Sequence, residues 1–110
     1  MTDTFKILAQ TNPGAAALTD SYTVPASTQT VVSTILVTNR SSVTTSFRIS
    51  LAANGAANDN AQYLYFDTPI AGNDTFSATL GVTLDAADVL RVYATLATLT
   101  FQIFGVEVTA

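Results

Sequence analysis

The sequence predicts an all-β protein, a single antiparallel β-sandwich of about eight strands with a jelly-roll-like or immunoglobulin-like topology. β-branched Thr and Val recur along all 110 residues, and both residue types favour extended backbone. Runs of such residues are separated by turn residues at the spacing typical of sandwiches and barrels. We therefore treat residues 1–110 as one domain. The predicted strands are 4–11, 18–24, 30–39, 45–53, 62–68, 74–83, 88–95 and 98–108.

Alternation of apolar and polar residues indicates which side of each strand faces the core. The pattern is regular in 46–51 and 75–82, whereas 31–37 carries apolar groups on both faces. The segment 31–37 is therefore either a central strand or one whose outer face meets a neighbour. The predicted core includes Phe47, Ile49, Leu51, Phe76, Leu80, Val92, Phe101 and Ile103.

The segments between the predicted strands carry turn signals. The longest break is 53–61, in which Asn54-Gly55 can adopt a positive φ. Asp85 to Asp88 is expected to form one helical turn before the seventh strand. Shorter turns are expected at 12–14, 24–27, 39–42 and 70–74.

The charge of the chain is low and excludes several classes of partner. Only 11% of the residues are charged, 48% are hydrophobic, and the net charge is −4. The four basic residues are scattered, so neither nucleic acid nor an anionic membrane is expected as a partner. Ser, Thr, Asn and Gln must cover much of the surface. Such a surface can be buried against another protein at a modest desolvation cost, which favours an assembly protein.

The residue inventory argues against an enzyme. His and Cys are absent, which removes the commonest general base and metal ligand and any thiolate chemistry. Asp85 and Asp88 are close enough in sequence to form a carboxylate pair, but we interpret them as turn and capping residues. We predict no catalytic residues, no cofactor and no metal site.

Two neighbouring segments form the candidate interaction surface. Asn58-Asp59-Asn60 is rich in oxygen ligands, but its single carboxylate is insufficient for calcium, so we interpret it as an exposed turn. In the strand that follows, one face must meet the core, and if Leu64 and Phe66 take that face, Tyr63, Tyr65 and Asp67 stand outward together. Outward Tyr side chains suit a protein contact or carbohydrate stacking, or they stabilise the sheet through cross-strand pairs. The candidate residues are Tyr63, Tyr65, Asp67, Asn58, Asp59 and Asn60.

Several strand-and-turn motifs follow one another along the chain. In the first half, Leu-Thr-Asp-Ser-Tyr-Thr-Val-Pro-Ala at 18–26 leads into Val-Val-Ser-Thr-Ile-Leu-Val-Thr-Asn-Arg at 31–40. The second half adds Tyr-Leu-Tyr at 63–65 and further motifs at 70–76, 80–84 and 88–94. Together these motifs resemble those of small virion proteins of tailed bacteriophages, and the resemblance covers about residues 18–108. It implies a β-sandwich that decorates a capsid or belongs to a tail or fibre, without a cofactor.

From the resemblance and the neutral surface we expect a capsid decoration (cement) protein on the phage head. Its expected partners are the major capsid protein or other virion proteins. A homotrimer at local threefold positions is the favoured assembly. The alternative is a tail- or fibre-associated module that binds a host surface glycan or protein. The sequence lacks a signal-peptide pattern and a long apolar stretch, so we expect synthesis in a host cytoplasm and a final location in the virion.

Overall fold

The structure is a computed structural model that describes residues 2–109. These residues form eight β-strands and two 3-10 helices, at Ala53–Gly55 and Asn60–Gln62. Each of the eight predicted segments corresponds to one strand. The strands are β1 (Thr2–Thr11), β2 (Thr19–Thr23), β3 (Thr28–Asn39), β4 (Thr45–Ala52), β5 (Tyr63–Ile70), β6 (Thr75–Leu84), β7 (Val89–Ala94) and β8 (Leu99–Thr109).

The strands form two four-stranded antiparallel sheets that pack face to face. Sheet I has the order β1-β8-β3-β6, and sheet II has the order β2-β7-β4-β5. Among the connections of the described chain, all except β4–β5 cross from one sheet to the other. This order is that of a jelly roll, whereas an immunoglobulin-like domain pairs its strands as ABED and CFG. The topology therefore selects the jelly roll from the two predicted alternatives.

The core between the sheets contains most of the predicted residues. Phe47, Ile49, Val92, Phe101 and Ile103 are completely buried. The ring centroid of Phe47 lies 6.1 Å from that of Phe101 in an edge-to-face arrangement, which joins sheet II to sheet I. The prediction of the core face is therefore confirmed for these five residues.

Three other predicted core residues, Leu51, Phe76 and Leu80, are only partly buried and pack at the margin of the core. At Leu51 the prediction was wrong in detail, because Ser50 and Ala52 are the buried residues at that end of β4. The pairing of β4 with β5 shifts register between Ile49 and Ser50, which interrupts the simple alternation.

The strand with two apolar faces, β3, lies inside sheet I between β8 and β6, so the prediction of a central strand is confirmed. Its neighbour β8 approaches it closely at Gly105. A Cβ atom on Gly105 would lie 2.1 Å from the carbonyl oxygen of Val31, so only glycine fits without displacement of the backbone.

The two turns singled out in the sequence differ in outcome. Asn54 and Gly55 have φ values of 54° and 67°, as predicted for the longest break. The segment from Asp85 to Asp88 forms a tight turn rather than a helical one. Its backbone is closed by a hydrogen bond from the Asp88 N–H to the Asp85 carbonyl oxygen, and Ala87 has a φ of 70°.

Candidate functional site

The predicted interaction residues lie along one edge of sheet II, in strand β5 and the segment before it. Asn58, Asp59 and Asn60 are exposed, as expected for a turn. The Asp59 carboxylate accepts a hydrogen bond from the Asn60 backbone N–H at 2.8 Å and so caps the second 3-10 helix. The Asn58 amide donates to the Tyr63 hydroxyl oxygen at 3.2 Å, which attaches the loop to the start of β5.

The expected orientation was wrong for Leu64, Tyr65 and Phe66 of β5. Tyr65 packs inward, with its ring centroid 6.2 Å from that of Phe47 and 5.3 Å from that of Phe76. Leu64 and Phe66 are 42% and 54% exposed, so they face outward in place of Tyr65. In Tyr-Leu-Tyr-Phe at 63–66, both alternating sets of side chains are largely apolar. The pairing of β5 with β4 therefore determines which set faces the core. Tyr65 lies opposite the buried Ile49 and therefore takes the inner face.

A bulge in β5 places Asp67 beside Arg48 of β4. The register changes between the pairs Phe47–Thr68 and Ile49–Tyr65, and Asp67 has a φ of 50°. Arg48 then makes two hydrogen bonds to the Asp67 carboxylate, from Nε at 2.6 Å and from Nη2 at 3.3 Å. This interaction, with the hydrogen bond as its main component, raises the pKa of Arg48. The Arg48 guanidinium is therefore charged and fixed in orientation.

The same guanidinium lies between two aromatic rings on the outer face of sheet II. Its central carbon is 4.1 Å from the ring centroid of Phe66 and 4.4 Å from that of Tyr93. Tyr93 reaches this position because it pairs directly with Arg48 across β7 and β4. The cation is attracted to the negative faces of both rings, so Arg48 holds Phe66 in a defined position on the surface.

Next to this arrangement lies an open pocket of about 300 Å³ lined by Asn60, Tyr63 and Phe66, which we call the aromatic pocket. The rings of Tyr63 and Phe66 meet edge to face at a centroid distance of 4.9 Å. Of the predicted surface residues, the structure brings Asn60 and Tyr63 into the pocket, whereas Asp67 pairs with Arg48. The sequence did not indicate that Phe66 faces outward, because residues 63–66 have no clearly polar face that marks the solvent side.

A second surface, on the outer side of sheet I, was not anticipated. Phe5 and Ile7 of β1 are 79% and 51% exposed. Phe5 lies opposite Val106 of β8, which in turn lies opposite Val31 of β3, and Ile7 lies opposite Phe104. These side chains form a continuous apolar patch across three strands. We call it the apolar face, and it consists of Phe5, Ile7, Val31, Phe104 and Val106.

The apolar face continues into a hydroxyl-rich strip on β6. The outward residues Ser77, Thr79 and Thr83 pair with residues of β3, and Thr83 lies opposite Val31. Asp3, which shares the outer side of β1 with Phe5, is the acidic residue at its margin. The outer side of sheet I is therefore nearly neutral.

The basic side chains of the protein are all engaged in contacts within the chain. Lys6 pairs with Glu107 at 2.9 Å, Arg48 with Asp67 at 2.6 Å, and Arg91 with Asp20 at 2.9 Å. Arg40 donates from Nε to the Thr100 hydroxyl and from Nη2 to the Ala97 carbonyl oxygen. Three of the four positive charges are thus paired with a carboxylate, which leaves little net positive charge to attract an anionic partner.

The acidic pair interpreted as turn residues makes local backbone contacts. The Asp88 carboxylate accepts hydrogen bonds from the backbone N–H groups of Asn54 at 2.7 Å and Asp85 at 2.8 Å. The Asp85 carboxylate accepts from the Ala86 N–H at 2.8 Å. The capping interpretation is confirmed, and Asp88 also links the 53–61 loop to the turn before β7.

Two further structural findings concern the described part of the chain. Residues 2–109 contain no group of three or more acidic, His or Cys side chains placed to hold a metal ion. Within the same residues, no helix has the length and apolar character needed to cross a membrane.

In comparisons with known proteins, the sequence matches no family model and no curated protein.

Proposed function

We propose that this protein is a structural component of a virus particle, a capsid decoration protein bound to the outside of a phage head. The apolar face is the observation that carries the proposal. Monomeric soluble proteins seldom expose a contiguous apolar patch without a binding role, because removing such a surface from water is favourable. The resemblance of the strand-and-turn motifs to phage virion proteins supports the same function.

The occupant proposed for the apolar face is the capsid shell, that is, the major capsid protein or another virion protein. The outer side of sheet I offers adjoining apolar and hydroxyl-rich strips, which suits an extended protein surface. Strand β1 lies at the edge of sheet I, so its free backbone groups are available to pair with a strand of the partner. Burial of apolar surface against one neighbour contributes a modest binding free energy, about 25 cal/mol per Å² of apolar area. Simultaneous contacts with several neighbours raise the overall affinity.

A homotrimer is the proposed assembly, since it matches the symmetry of local threefold positions on a capsid. Light scattering of the purified protein and a cryo-electron microscopy map of the particle test this state. A strict monomer in solution together with single copies on the particle would contradict the trimer.

The experiment that tests the function measures binding to particles of the encoding virus from which the protein has been stripped. We expect tight binding to the shell, weak binding to isolated capsid subunits, and little change from low salt to about 1 M, where the Debye length falls to about 3 Å. Phe5→Ser should abolish shell binding. The control Val43→Ser removes a 55% exposed apolar residue from a turn outside the apolar face and should bind normally. Release at moderate salt, or normal binding by Phe5→Ser, would contradict the proposal.

The aromatic pocket favours a second candidate, a tail- or fibre-associated module that binds a host surface molecule. The number of copies per particle separates the two functions. A decoration protein covers the head in many copies, whereas a tail module is present in few. Quantitative mass spectrometry of purified particles measures this number.

A further inference from the structure

We propose that the aromatic pocket binds a neutral pyranose ring of a polysaccharide, packed against the exposed part of the Phe66 ring. The pocket lies on sheet II, whereas the apolar face lies on sheet I. The inference therefore does not depend on the decoration function, and it specifies the ligand class for the second candidate function.

The first argument is the fixed but open position of Phe66. Arg48 covers one face of the ring at 4.1 Å, and Tyr63 contacts it edge to face. Phe66 nevertheless remains 54% exposed. An aromatic residue that is held by its neighbours and still exposed is preorganised for an apolar ligand surface, so little entropy is lost on binding.

The second argument is the chemistry of the pocket lining. The axial C–H groups of a pyranose carry partial positive charge, which complements the negative face of an aromatic ring. The Tyr63 hydroxyl oxygen accepts its hydrogen bond from Asn58, so its own proton is available for a sugar oxygen. The Asn60 side-chain amide, at the other side of the pocket, has both donors and an acceptor for sugar hydroxyls. A volume of about 300 Å³ lies at the lower end of the range for small-molecule sites, which suits one ring of a longer chain.

The third argument is the local charge, which selects against acidic sugars. The positive charge of Arg48 is compensated by Asp67 in a contact of 2.6 Å. Asp59 precedes the pocket residue Asn60 in the sequence and is exposed, so it adds a further negative charge near the pocket. A uronic or sialic acid would be repelled by this charge, and the nearby cation, Arg48, is already paired with Asp67. The preferred ligand is therefore uncharged.

The test is a titration of the isotopically labelled protein with neutral hexasaccharides of glucose, galactose and mannose, followed by NMR. We expect at least one of them to bind and to shift the resonances of Asn60, Tyr63 and Phe66. Phe66→Ala should weaken binding about tenfold, the equivalent of about 1.4 kcal/mol. Asn60→Ala, which leaves the aromatic rings in place, should also weaken it. The matched control is Phe5→Ala, which removes an exposed aromatic ring from sheet I and should bind the sugar normally.

An oligogalacturonate of the same length provides the acidic comparison and should bind more weakly than the neutral ligand. The proposal is overturned if no neutral hexasaccharide binds up to about 10 mM, if Phe66→Ala and Asn60→Ala both bind normally, or if the acidic ligand binds equally well. These outcomes are independent of shell binding, for which Phe5→Ser is the sensitive variant and Phe66→Ala is expected to behave like the wild type.

Discussion

The Tyr22 hydroxyl donates a hydrogen bond to Glu107 Oε2 over 2.5 Å and thereby joins sheet II to sheet I. The hydroxyl of Thr30 lies 2.8 Å from the same Tyr22 oxygen, and Lys6 pairs with the other carboxylate oxygen at 2.9 Å. Burial, together with the neighbouring Glu107, raises the pKa of Tyr22 to about 12. Four strands from both sheets therefore meet in one polar cluster beside the apolar core.

This cluster predicts a specific acid sensitivity. The hydrogen bond from Tyr22, and after it the one from Lys6, lowers the pKa of Glu107 below its usual 4.5. A carboxyl whose pKa is lower in the folded state stabilises the fold above the unfolded pKa, and this contribution is lost as the pH falls through the folded value. We expect Glu107→Gln to be less stable than the wild type at pH 7, and the difference to shrink below about pH 4.5. Urea unfolding across this range measures it.

The control for the acid experiment is Asp3→Asn, which changes an exposed carboxylate of β1 outside the cluster. Its unfolding free energy should follow that of the wild type. A difference between wild type and Glu107→Gln that stays constant down to pH 3 would contradict the role given to Glu107.

The aromatic contact across the core predicts large losses of stability on truncation. Phe47→Ala or Phe101→Ala should reduce the free energy of unfolding by ~3–5 kcal/mol, because each removes a completely buried ring and leaves a cavity. Leu64→Ala, at an exposed position of β5, serves as the control and should change stability much less. A loss below ~1 kcal/mol at both Phe positions would be incompatible with the packing described here.

The close approach of β8 to β3 predicts that Gly105 does not tolerate a side chain. Gly105→Ala would place a Cβ atom 2.1 Å from the Val31 carbonyl oxygen, and we expect a loss of about 1–3 kcal/mol or more. The matched control is Gly81→Ala in β6, where an added Cβ meets no atom within 4 Å. Thermal unfolding compares the two variants, and equal melting temperatures would show that the strands can separate locally at small cost.

The acidic turn provides the test of the prediction that the protein is not an enzyme. Asp85→Asn combined with Asp88→Asn keeps the side-chain shapes and weakens the hydrogen bonds to the backbone N–H groups of Asn54 and Asp85. We expect a small loss of stability and no other change. Hydrolase assays on the wild type should show no turnover, and an activity that the double variant abolishes would refute the prediction.

The strands of this protein are encoded locally, and their positions could be predicted from sequence. β-branched residues mark each strand, and Pro, Gly and Asn mark the turns, so the information lies within a few residues. The jelly-roll order could not be obtained in this way. It depends on pairs such as Phe5 with Val106, whose residues are brought together only by the complete fold.

The candidate surfaces were predicted only in part because alternation distinguishes two faces of a strand without showing which one is covered. Tyr65 was assigned outward, yet its pairing with Ile49 turns it toward the core and exposes Phe66. The same limitation applies to Phe5 and Ile7, which alternate like core residues but lie where no second layer covers them. Asn60 and Tyr63, both named as candidate residues, line the same pocket because they lie in one short segment.

The pairing of β1 with β8 also constrains the order in which the chain can fold. In sheet I, β1 lies at the edge and pairs only with β8. Residues 2–11 can therefore join the sheet only after residues 99–109 are available. Domains dominated by such distant pairings fold in about milliseconds to seconds, slowly for their size. Phe5 of β1, Val106 of β8 and Val31 of β3 form one row across sheet I. The row is complete only when all three strands have paired. An incompletely synthesised chain therefore cannot present this row, which is complete only once residues 99–109 have joined sheet I.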